Sequence, residues 1–387
     1  MQLWALLWHV RLLTDQPIAL GGIGLARILP VVVFSLIGGA VADSADRRKI
    51  LFVTQSVMAL EALLLAWLTF SGQVTLWQIY LLTAVQATAL AFDLPARQAL
   101  VPNLVPAKDL PNAFSMQSIA FQVGSIVGPA LSGLVIAYWG QYYAYLLNAI
   151  TYLAVIGALL LIGAIPQQTR GSGRIHVKFE DIREGVRFIL EQPVILSSML
   201  LDFFATFFSS ANTLMPIFAR DILNVGAVEY GWLSAAQSIG AMTAAAIISQ
   251  IREIRHQGRT LLLSVVAFGF ATIAFGLARS FIGAMIALAF IGASDSVSAI
   301  IRNTIRQLQT PDYLRGRMTS INQIFFLGGP QLGEVEAGLV AQLFGAPAAV
   351  LTGGIGCLLA VGWIARRWPQ LRSYNGDEPI KAGAMAD

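Results

Sequence analysis

Acidic and basic side chains lie inside apolar stretches of this chain. A charge is energetically unfavourable in a membrane span, so each such residue is a candidate for a functional role. The residues in question are Asp202, Glu334, Glu336, Arg27 and Asp295. A carboxylate in a low-dielectric cavity can take up a proton near physiological pH, which is the chemistry that proton coupling needs. We therefore expect these five residues to couple proton or substrate binding. A structural ion pair or a snorkelling side chain is the alternative for each of them.

Helix geometry limits which of these five residues can face one cavity together. Glu334 and Glu336 are two residues apart, which puts them about 200° apart around a helix, so at most one faces a cavity squarely. Arg27 could neutralise Asp202 or one of the glutamates before substrate binds. For Glu61, which also lies in an apolar stretch, a local pair is the favoured interpretation.

A second cluster of charges lies in the segment GAVADSADRR, which begins at Gly39 between two apolar stretches. Gly39 lets two helices approach closely, and Asp43 can cap the start of a neighbouring helix. Arg47 and Arg48 can pair with an acid at another helix end, for which Asp93 is the candidate. We expect this cluster to act as a breakable cytoplasmic gate. Ordinary positive loop charge with a turn is the alternative.

Small residues recur every four or five positions at Gly124, Gly128 and Gly133, with Pro129 between them. This spacing makes a groove for a facing helix. Proline removes one backbone hydrogen bond and can kink a helix. The segment therefore predicts a closely packed pair of helices.

The same pattern returns 205 positions later in the chain. The matched pairs are Gly124 with Gly329, Gly128 with Gly333, Gly133 with Gly338, Gly140 with Gly345, and Arg97 with Arg302. A membrane chain with two similar halves points to a site at their seam, exposed by rocking one half against the other. Chance similarity between glycine-rich helices is the alternative.

The composition requires that these elements face lipid. The 387 residues are 56% hydrophobic and 12% charged, whereas soluble domains carry about a quarter charged residues. At about 20 residues per span, the length holds about a dozen spans and no sizeable soluble domain. One cysteine, Cys357, and three separated histidines make a disulfide framework or a metalloenzyme improbable. We expect no cofactor, no metal, no enzymatic activity and no nucleic-acid partner.

Eleven apolar stretches are long enough to be spans: 18–42, 50–71, 75–93, 114–138, 142–165, 194–218, 229–250, 260–278, 281–301, 318–343 and 347–365. Residues 2–13 are apolar but only half a span long, which predicts the remnant of a twelfth helix. We expect the true start to lie upstream of Met1, or the chain to be a damaged gene product.

Basic residues predict the orientation. With the loop after residue 42 in the cytoplasm, 21 of the 25 lysines and arginines lie on that side, so loops after even-numbered helices are cytoplasmic. The longest polar segment, residues 166–193, carries Val177, Ile182, Val186 and Ile189 at helical spacing. This spacing indicates an amphipathic helix on the membrane surface. A plain linker is the alternative. The predicted domains are a bundle at 1–165, a linker at 166–193, a second bundle at 194–365 and a cytoplasmic tail at 366–387.

Several stretches carry a resemblance to the major facilitator superfamily, and within it to the branch of the bacterial enterobactin exporter and related drug-efflux permeases. They are GGAVADSADRR, AFDLPARQALVPNLVPAKDLPNAFSMQS, LLNAITYLAVI, LMPIFARDILNVG and LGGPQLGEVEAGLVAQLFGAPAAV. The resemblance implies an all-α integral membrane protein with the major facilitator fold. Two six-helix bundles are then related by a pseudo-twofold axis. The truncated first helix leaves about eleven full spans and a half span.

The same resemblance implies a function. It implies a monomeric secondary active transporter in the bacterial inner membrane, which exports drug-like compounds or a siderophore by proton antiport with alternating access. It makes Asp43, Arg47 and Arg48 the gating cluster and Gly128 with Pro129 the antiporter-type kink.

Three departures from the family pattern support an alternative. Ser44 and Asp46 stand where the family has Arg and Gly, the matching loop QIREIRHQGR has lost the pattern, and the first helix is short. The alternative is a non-transporting or degenerate membrane scaffold. The residues also leave the direction of transport and the identity of the substrate open.

Overall fold

The computed structural model describes residues 1–162, 186–209, 211–251, 254–311 and 315–376, apart from a few side chains such as that of Asp43. These residues form helices joined by short turns, and no strand occurs among them. The first helices are α1 (Gln2–Leu13), α2 (Pro17–Ser44), α3 (Arg47–Phe70), α4 (Leu76–Leu104), α5 (Leu110–Trp139) and α6 (Gln141–Ile162). They are followed by α7 (Pro193–Phe208), α8 (Ala211–Ile217), α9 (Ala227–Ile248), α10 (Gln257–Leu277), α11 (Phe281–Gln309), α12 (Arg315–Phe344), α13 (Ala346–Arg367) and α14 (Pro369–Ser373).

Ten of the helices in the described ranges are long and apolar enough to cross a membrane. The α12 helix, at 30 residues, exceeds the length of a span as well. Each of the eleven predicted apolar stretches corresponds to a helix, and α1, with 12 residues, is the short element expected from residues 2–13. The chain is an all-helical, multi-pass membrane protein.

Polar side chains set several helix starts. The Asp46 carboxylate accepts hydrogen bonds from the backbone N–H groups of Arg48 and Lys49, and so caps α3. Asp46 is therefore the cap of α3, while the side chain of Asp43, predicted to cap a neighbouring helix, lies outside the described residues. Thr75 and Gln78 form a capping box at the start of α4.

The chain divides into two compact units. Unit 1 comprises Met1–Val177 with Val225–Ala235, and unit 2 comprises Lys178–Asn224 with Ala236–Asp387. The predicted boundaries at 165, 193 and 365 remain predictions.

Unit 1 packs through close backbone contacts at small residues. A side chain on Gly38 would collide with the backbone of Ala91, so Gly38 allows α2 to lie against α4. The predicted residue for close approach, Gly39, has no atom within 4 Å of its Cβ position. The difference arises because adjacent residues on a helix point about 100° apart.

The predicted groove on α5 is occupied at two of its three glycines. A Cβ on Gly133 would lie 2.8 Å from the Cα of Gly231, and one on Gly128 would lie 3.2 Å from the backbone nitrogen of Met1. A Cβ on Gly124 would meet nothing within 4 Å. The α5 helix continues through Pro129 to Trp139.

The short α1 helix is tightly packed in unit 1, because seven of its twelve residues are buried. Its Trp8 ring lies 4.9 Å from the ring of Tyr230. The Tyr230 hydroxyl donates a hydrogen bond of 3.0 Å to the backbone carbonyl of Trp4. These contacts hold α1 as part of the core of the unit.

Unit 2 is held together around α7. The α12 helix approaches it at Gly329, whose Cβ position is 3.2 Å from the Phe203 carbonyl oxygen. Phe203 contacts Phe325 of α12 edge to face, and Phe204 contacts Trp363 of α13 in the same way. These aromatic residues of α7 therefore pack between helices.

The internal repeat is visible in the helix boundaries. Moved by 205 positions, the ranges of α4, α5 and α6 coincide with those of α11, α12 and α13. The turn glycines match as well, with φ of 94° at Gly140 and 86° at Gly345. Only glycine adopts such backbone angles without strain, so both turns require it.

The α4 and α11 helices run well beyond the apolar stretches that predicted them. The α4 helix continues to Leu104, where the sequence predicts an end near residue 93, and α11 continues to Gln309, where it predicts an end near residue 301. Arg302 and Arg306 are consequently buried residues of α11, beyond the end of the apolar stretch. The stretches end early because a helix inside a protein can continue through charges that find partners, which hydropathy does not register.

The described part of the predicted surface helix packs within unit 2. Residues 186–191 are helical, and Ile189 packs in a cluster with Ile195, Met199 and Met318. Val177 and Ile182, the other half of the predicted stripe, lie outside the described residues. The segment after α13 also docks, since the Gly258 N–H donates a 2.9 Å hydrogen bond to the Tyr374 carbonyl.

Candidate functional site

A buried arginine on α11 is the centre of the charged site in unit 2. Arg302 and Asp202 are each 3% exposed, and Arg302 Nη2 lies 2.9 Å from Asp202 Oδ1. Asp202 comes from the middle of α7, so the pair joins two helices that are distant in sequence. Two charges removed from water in this way each need the other, because a lone buried charge is strongly unfavourable.

A second carboxylate and a hydroxyl complete the surroundings of Arg302. Its Nη1 donates a hydrogen bond of 2.5 Å to Ser298 Oγ, one turn earlier on α11. Its Nη2 lies 3.8 Å from Asp295 Oδ1, and the Asp295 side chain is half-exposed. Two acids thus share one guanidinium, which leaves one negative charge in excess when all three groups are ionised.

Arg306 continues the same face of α11 one turn further. It donates hydrogen bonds to the side-chain oxygens of Asn303 and Asn322. It is close enough for its charge to interact with those of Arg302 and Asp202. With Arg306 included, the site holds two acids and two arginines and can be electrically neutral.

The structure brings together two of the five predicted coupling residues, Asp202 and Asp295. The cation that pairs with Asp202 is Arg302, where the sequence suggested Arg27. Arg27 lies half-buried on α2 in unit 1. Sequence reasoning missed Arg302 because it counted this residue among the cytoplasmic basic residues, just beyond the apolar stretch 281–301. The match between Arg97 and Arg302 in the repeat was the signal that could have placed it on a helix.

Glu334 and Glu336 both lie on α12 and are half-buried. Among the described residues, Glu336 forms no hydrogen bond or ion pair. Their roles in coupling remain predictions.

Of the predicted gate residues, Arg47 and Arg48 begin α3, and Gly39 lies near the end of α2. The sequence placed Asp93 at a helix end, but α4 continues past it to Leu104. Asp93 is fully buried, and its Oδ1 accepts hydrogen bonds from Arg97 Nη2 at 2.5 Å and Nε at 3.0 Å. Its Oδ2 accepts from Gln55 Nε2 at 2.7 Å and from the Thr54 hydroxyl at 3.0 Å. The predicted partner of Asp93 was Arg47 or Arg48, and the observed one is Arg97. The reason is proximity, since Arg97 follows Asp93 by one helical turn.

Arg47 and Arg48 instead bind backbone carbonyls. Arg47 donates to the Ala42 carbonyl at 3.1 Å and the Ala99 carbonyl at 3.0 Å. Arg48 Nε donates to the Leu159 carbonyl at 2.8 Å, in the last turn of α6. The negative end of a helix dipole favours a cation there. The two arginines therefore tie the start of α3 to the ends of α2, α4 and α6, while the side chain of Asp43 lies outside the described residues.

A polar network lies deep in unit 1, away from the gate residues. Glu61, 3% exposed, accepts hydrogen bonds from Gln2 Nε2 on both carboxylate oxygens, at 2.9 and 2.8 Å. The Gln2 side-chain oxygen accepts a hydrogen bond from Asn148 of α6. The expected local pair for Glu61 is thus replaced by a contact with α1, which is distant in sequence.

Two further hydrogen bonds join the same helices. The Tyr152 hydroxyl of α6 accepts one from Gln86 Nε2 of α4 at 3.3 Å. His9 Nδ1 lies 3.0 Å from the hydroxyl of the fully buried Tyr145. Polar residues at facing positions of α1, α3, α4 and α6 were visible in the sequence, but no pattern there indicates that they meet.

Comparison with known proteins agrees with this architecture. The model of a family described as transmembrane secretion effectors, MFS_3, matches residues 1–381. The enterobactin exporter EntS of Shigella boydii serotype 18 is 26% identical over 344 residues, which are 89% of this chain and 82% of that protein. The EntS of Citrobacter koseri is 25% identical over 349 residues, with coverage of 90% and 83%.

Solved structures show the same fold. A POT family transporter in complex with 5-aminolevulinic acid matches with a TM-score of 0.76 at 11% identity, covering 96% of this chain and 93% of its own. A bacterial homologue of the human lysosomal transporter Spinster, inward-facing and occupied, matches with a TM-score of 0.73 at 14% identity and 96% coverage of both chains. At such identities the likeness concerns the fold alone.

Proposed function

The chain belongs to the transmembrane secretion effector family of the major facilitator superfamily, and from this premise we propose that it exports small organic molecules by proton antiport with alternating access. Its family and fold are those of transporters, not enzymes. The relatives named as enterobactin exporters favour a siderophore of that kind as the substrate. A drug-like amphipathic compound is the second substrate class, and the bacterial inner membrane is the proposed location.

The buried Asp202–Arg302 pair is the observation that carries this proposal. Asp202 lies on α7 and Arg302 on α11, so the pair makes the contact between these helices depend on charge. A proton that binds Asp202 removes its charge and leaves Arg302 with the half-exposed Asp295. A hydrogen-bond donor of a substrate, such as a catechol hydroxyl, binds the ionised Asp202 well and the protonated Asp202 poorly, because a carboxylate is a strong hydrogen-bond acceptor.

Antiport follows if proton and substrate exclude each other. Proton and substrate compete for the same Asp202 carboxylate, so binding of one favours release of the other. Each change of partner alters the attraction between α7 and α11, and so biases the unit between two arrangements. A transporter needs such a coupling between occupancy and conformation.

We further propose that the cluster of Gly39, Asp43, Arg47, Arg48 and Asp93 is the cytoplasmic gate. The contacts of Arg47 and Arg48 with carbonyl groups at helix ends support this, since they join four helix ends at one place. Opening the gate requires these hydrogen bonds to break and water to replace them.

The test is efflux from energised cells that express the chain, with a fluorescent dye and a catecholate siderophore as probes. We expect a protonophore to abolish efflux and Asp202→Asn to reduce it at least tenfold. Asp15→Asn is the matched control, because it removes the acid of an exposed ion pair whose Asp15 side chain is 88% exposed. Efflux that survives both the protonophore and Asp202→Asn would contradict proton antiport through this site.

A further inference from the structure

We propose that Glu61 is a proton-binding site in unit 1, which takes up and releases a proton during the transport cycle and is positioned by Gln2. This inference rests on the proposed function, because it supplies a place for the driving proton. It differs from the Asp202 site in its location, in its partners and in the absence of an arginine.

The first step of the argument is the burial of the carboxylate. Glu61 is 3% exposed and lies past the middle of the apolar helix α3. Among the described residues no lysine or arginine forms an ion pair with it. An ionised carboxylate in such surroundings is costly, and binding of one proton removes that cost.

The second step is that the site also stabilises the charged form. One amide nitrogen, Gln2 Nε2, donates to both carboxylate oxygens, at 2.9 and 2.8 Å. That arrangement suits a carboxylate, because both of its oxygens accept. The Gln2 side-chain oxygen is engaged by Asn148, so the amide is oriented and not merely close. Burial therefore favours the protonated form of Glu61, while the hydrogen bonds from Gln2 favour the ionised form.

The third step is that the network can follow a change of protonation. When a proton joins Glu61, a new O–H bond forms, and the carboxyl group must donate one hydrogen bond. Gln2 can accept it after its amide group turns over, and Asn148 can do the same in response. The chain of hydrogen bonds ends at Asn148, whose side-chain nitrogen donates to Gln2. No bond other than O–H is made or broken.

The other titratable groups near Glu61 are few. On α6 they are Tyr145 and Tyr152, whose hydroxyls feel its charge. On α1, His9 reaches the site through Tyr145. On α4, Asp93 is already neutralised by Arg97. From α2, no titratable side chain among the described residues contacts Glu61. The carboxyl of Glu61 is thus the group that a proton entering this network would charge or discharge.

The experiment is an infrared pH titration of the full chain reconstituted in lipid, without substrate. A buried carboxylic acid gives a C=O stretching band that disappears when the group ionises. The difference between the spectra of the parent chain and Glu61→Gln should contain one such band that varies with pH, and Asp202→Asn should retain that band. A difference spectrum with no carboxylic-acid band, or with one that is the same at every pH, would overturn the proposal.

Two controls keep the result independent of folding. Glutamine has the shape of glutamate without its charge, so Glu61→Gln should elute as the parent chain does and unfold at a temperature no lower. Gln2→Met leaves the carboxyl in place and removes its donor, so the same band should move in frequency. An unmoved band in Gln2→Met would exclude the positioning role of Gln2.

Transport assays separate this inference from the proposed function. In liposomes, Glu61→Gln should lose at least tenfold of uptake driven by a pH gradient and keep substrate exchange in the absence of a gradient. Gradient-driven flux equal to that of the parent chain would refute the proton site and leave antiport through Asp202 intact. A titrating Glu61 in a chain that moves none of the probes would refute the proposed function and leave the proton site standing.

Discussion

Unit 1 and unit 2 hold a matched arginine in different ways. Arg97 on α4 and Arg302 on α11 occupy the same position of the repeat. Arg97 pairs with Asp93, one turn back on its own helix, and its side chain is 46% exposed. Arg302 finds Ser298 one turn back and takes its acid, Asp202, from α7. Both side chains of the latter pair are 4% exposed.

The difference shows that the same helical arrangement can hold an ion pair of fixed geometry or one whose geometry changes when the helices move. A pair within one helix keeps its geometry whatever the neighbouring helices do. A pair between two helices changes when either helix moves, and so links charge to conformation. The arginine pair of unit 1 is therefore suited to a structural role, and that of unit 2 to coupling.

The interiors of the two units also differ, and here the additional polar side chains lie in unit 1. Asn148 of the Glu61 network and the neighbouring Tyr152 match Gly353 and Cys357 in unit 2, and Gln86 matches Ile291. Unit 1 thus has polar side chains where unit 2 packs small or apolar ones. The repeat preserves the lengths and turns of the helices, while the ionisable groups follow each unit's own function.

The largest expected effect is at Arg302. Arg302→Met leaves Asp202 buried without its cation, so we expect a loss of about 3–5 kcal/mol in unfolding free energy and no measurable efflux. Arg97→Met should cost less, because Arg97 is half-exposed and Asp93 keeps two other donors. Denaturant unfolding in detergent and dye efflux measure both effects. Equal losses for the two variants would remove the distinction between a fixed and a movable pair.

The glycines of the two matched turns test a feature in which the two units should respond alike to substitution. Gly140→Ala and Gly345→Ala place a side chain on backbone angles that only glycine adopts freely, so each should cost about 1–3 kcal/mol. Gly124→Ala is the control, because its Cβ would meet no atom within 4 Å and alanine favours a helix by up to about 1 kcal/mol. Unfolding of the three variants is the measurement, and unequal losses at the two turns would break the match.

A substitution in unit 2 that reproduces the arginine–aspartate pair of unit 1 sharpens the comparison. Ser298→Asp gives Arg302 an acid on its own helix, as Arg97 has in Asp93, and should free Asp202 from the pair. We expect efflux to fall by about tenfold, which corresponds to about 1.4 kcal/mol, while the protein stays folded. Ser298→Asn, of similar size and uncharged, should retain more activity. Full efflux by Ser298→Asp would show that the partner of Arg302 does not matter.

The smallest expected effect is at Tyr152, beside the polar network. Tyr152→Phe removes the acceptor of a 3.3 Å hydrogen bond from Gln86, so we expect a loss of about 1 kcal/mol in stability. It should also alter the infrared band of Glu61, because the Tyr152 hydroxyl interacts electrostatically with that carboxyl. Cys357→Ala, at the matched position in unit 2, should leave that band unchanged. A response to both variants would make the effect unspecific.

Much of the fold could be predicted because spans are encoded locally. Lipid demands about 20 apolar residues in a row for each helix, and each of the predicted stretches corresponds to a helix. The ends were less certain where a helix continues among paired charges, as α11 does through Arg302. The repeat was readable for a similar reason, since turn glycines such as Gly140 and Gly345 must recur wherever the turn does.

The candidate sites could be predicted only in part. Asp202 and Asp295 stood out because a charge in an apolar stretch is rare. Their partner did not, because Arg302 lies about one hundred positions from Asp202 and at the edge of its own apolar stretch. Glu61 had a plain local interpretation until the fold placed Gln2 against it. Orientation, the gate and the coupling roles remain predictions from composition and motif.

The sequence by itself determined that this protein is a bundle of membrane-spanning helices built as a repeat, and it determined the family. Those properties follow from hydropathy and from glycine at special backbone angles, both of which act over a few neighbouring residues. The tertiary structure decided which charges meet: Arg302 with Asp202, Asp93 with Arg97, and Glu61 with Gln2. Such contacts depend on how separate helices are packed, and electrostatic attraction at 3 Å chooses among partners that sequence distance does not rank.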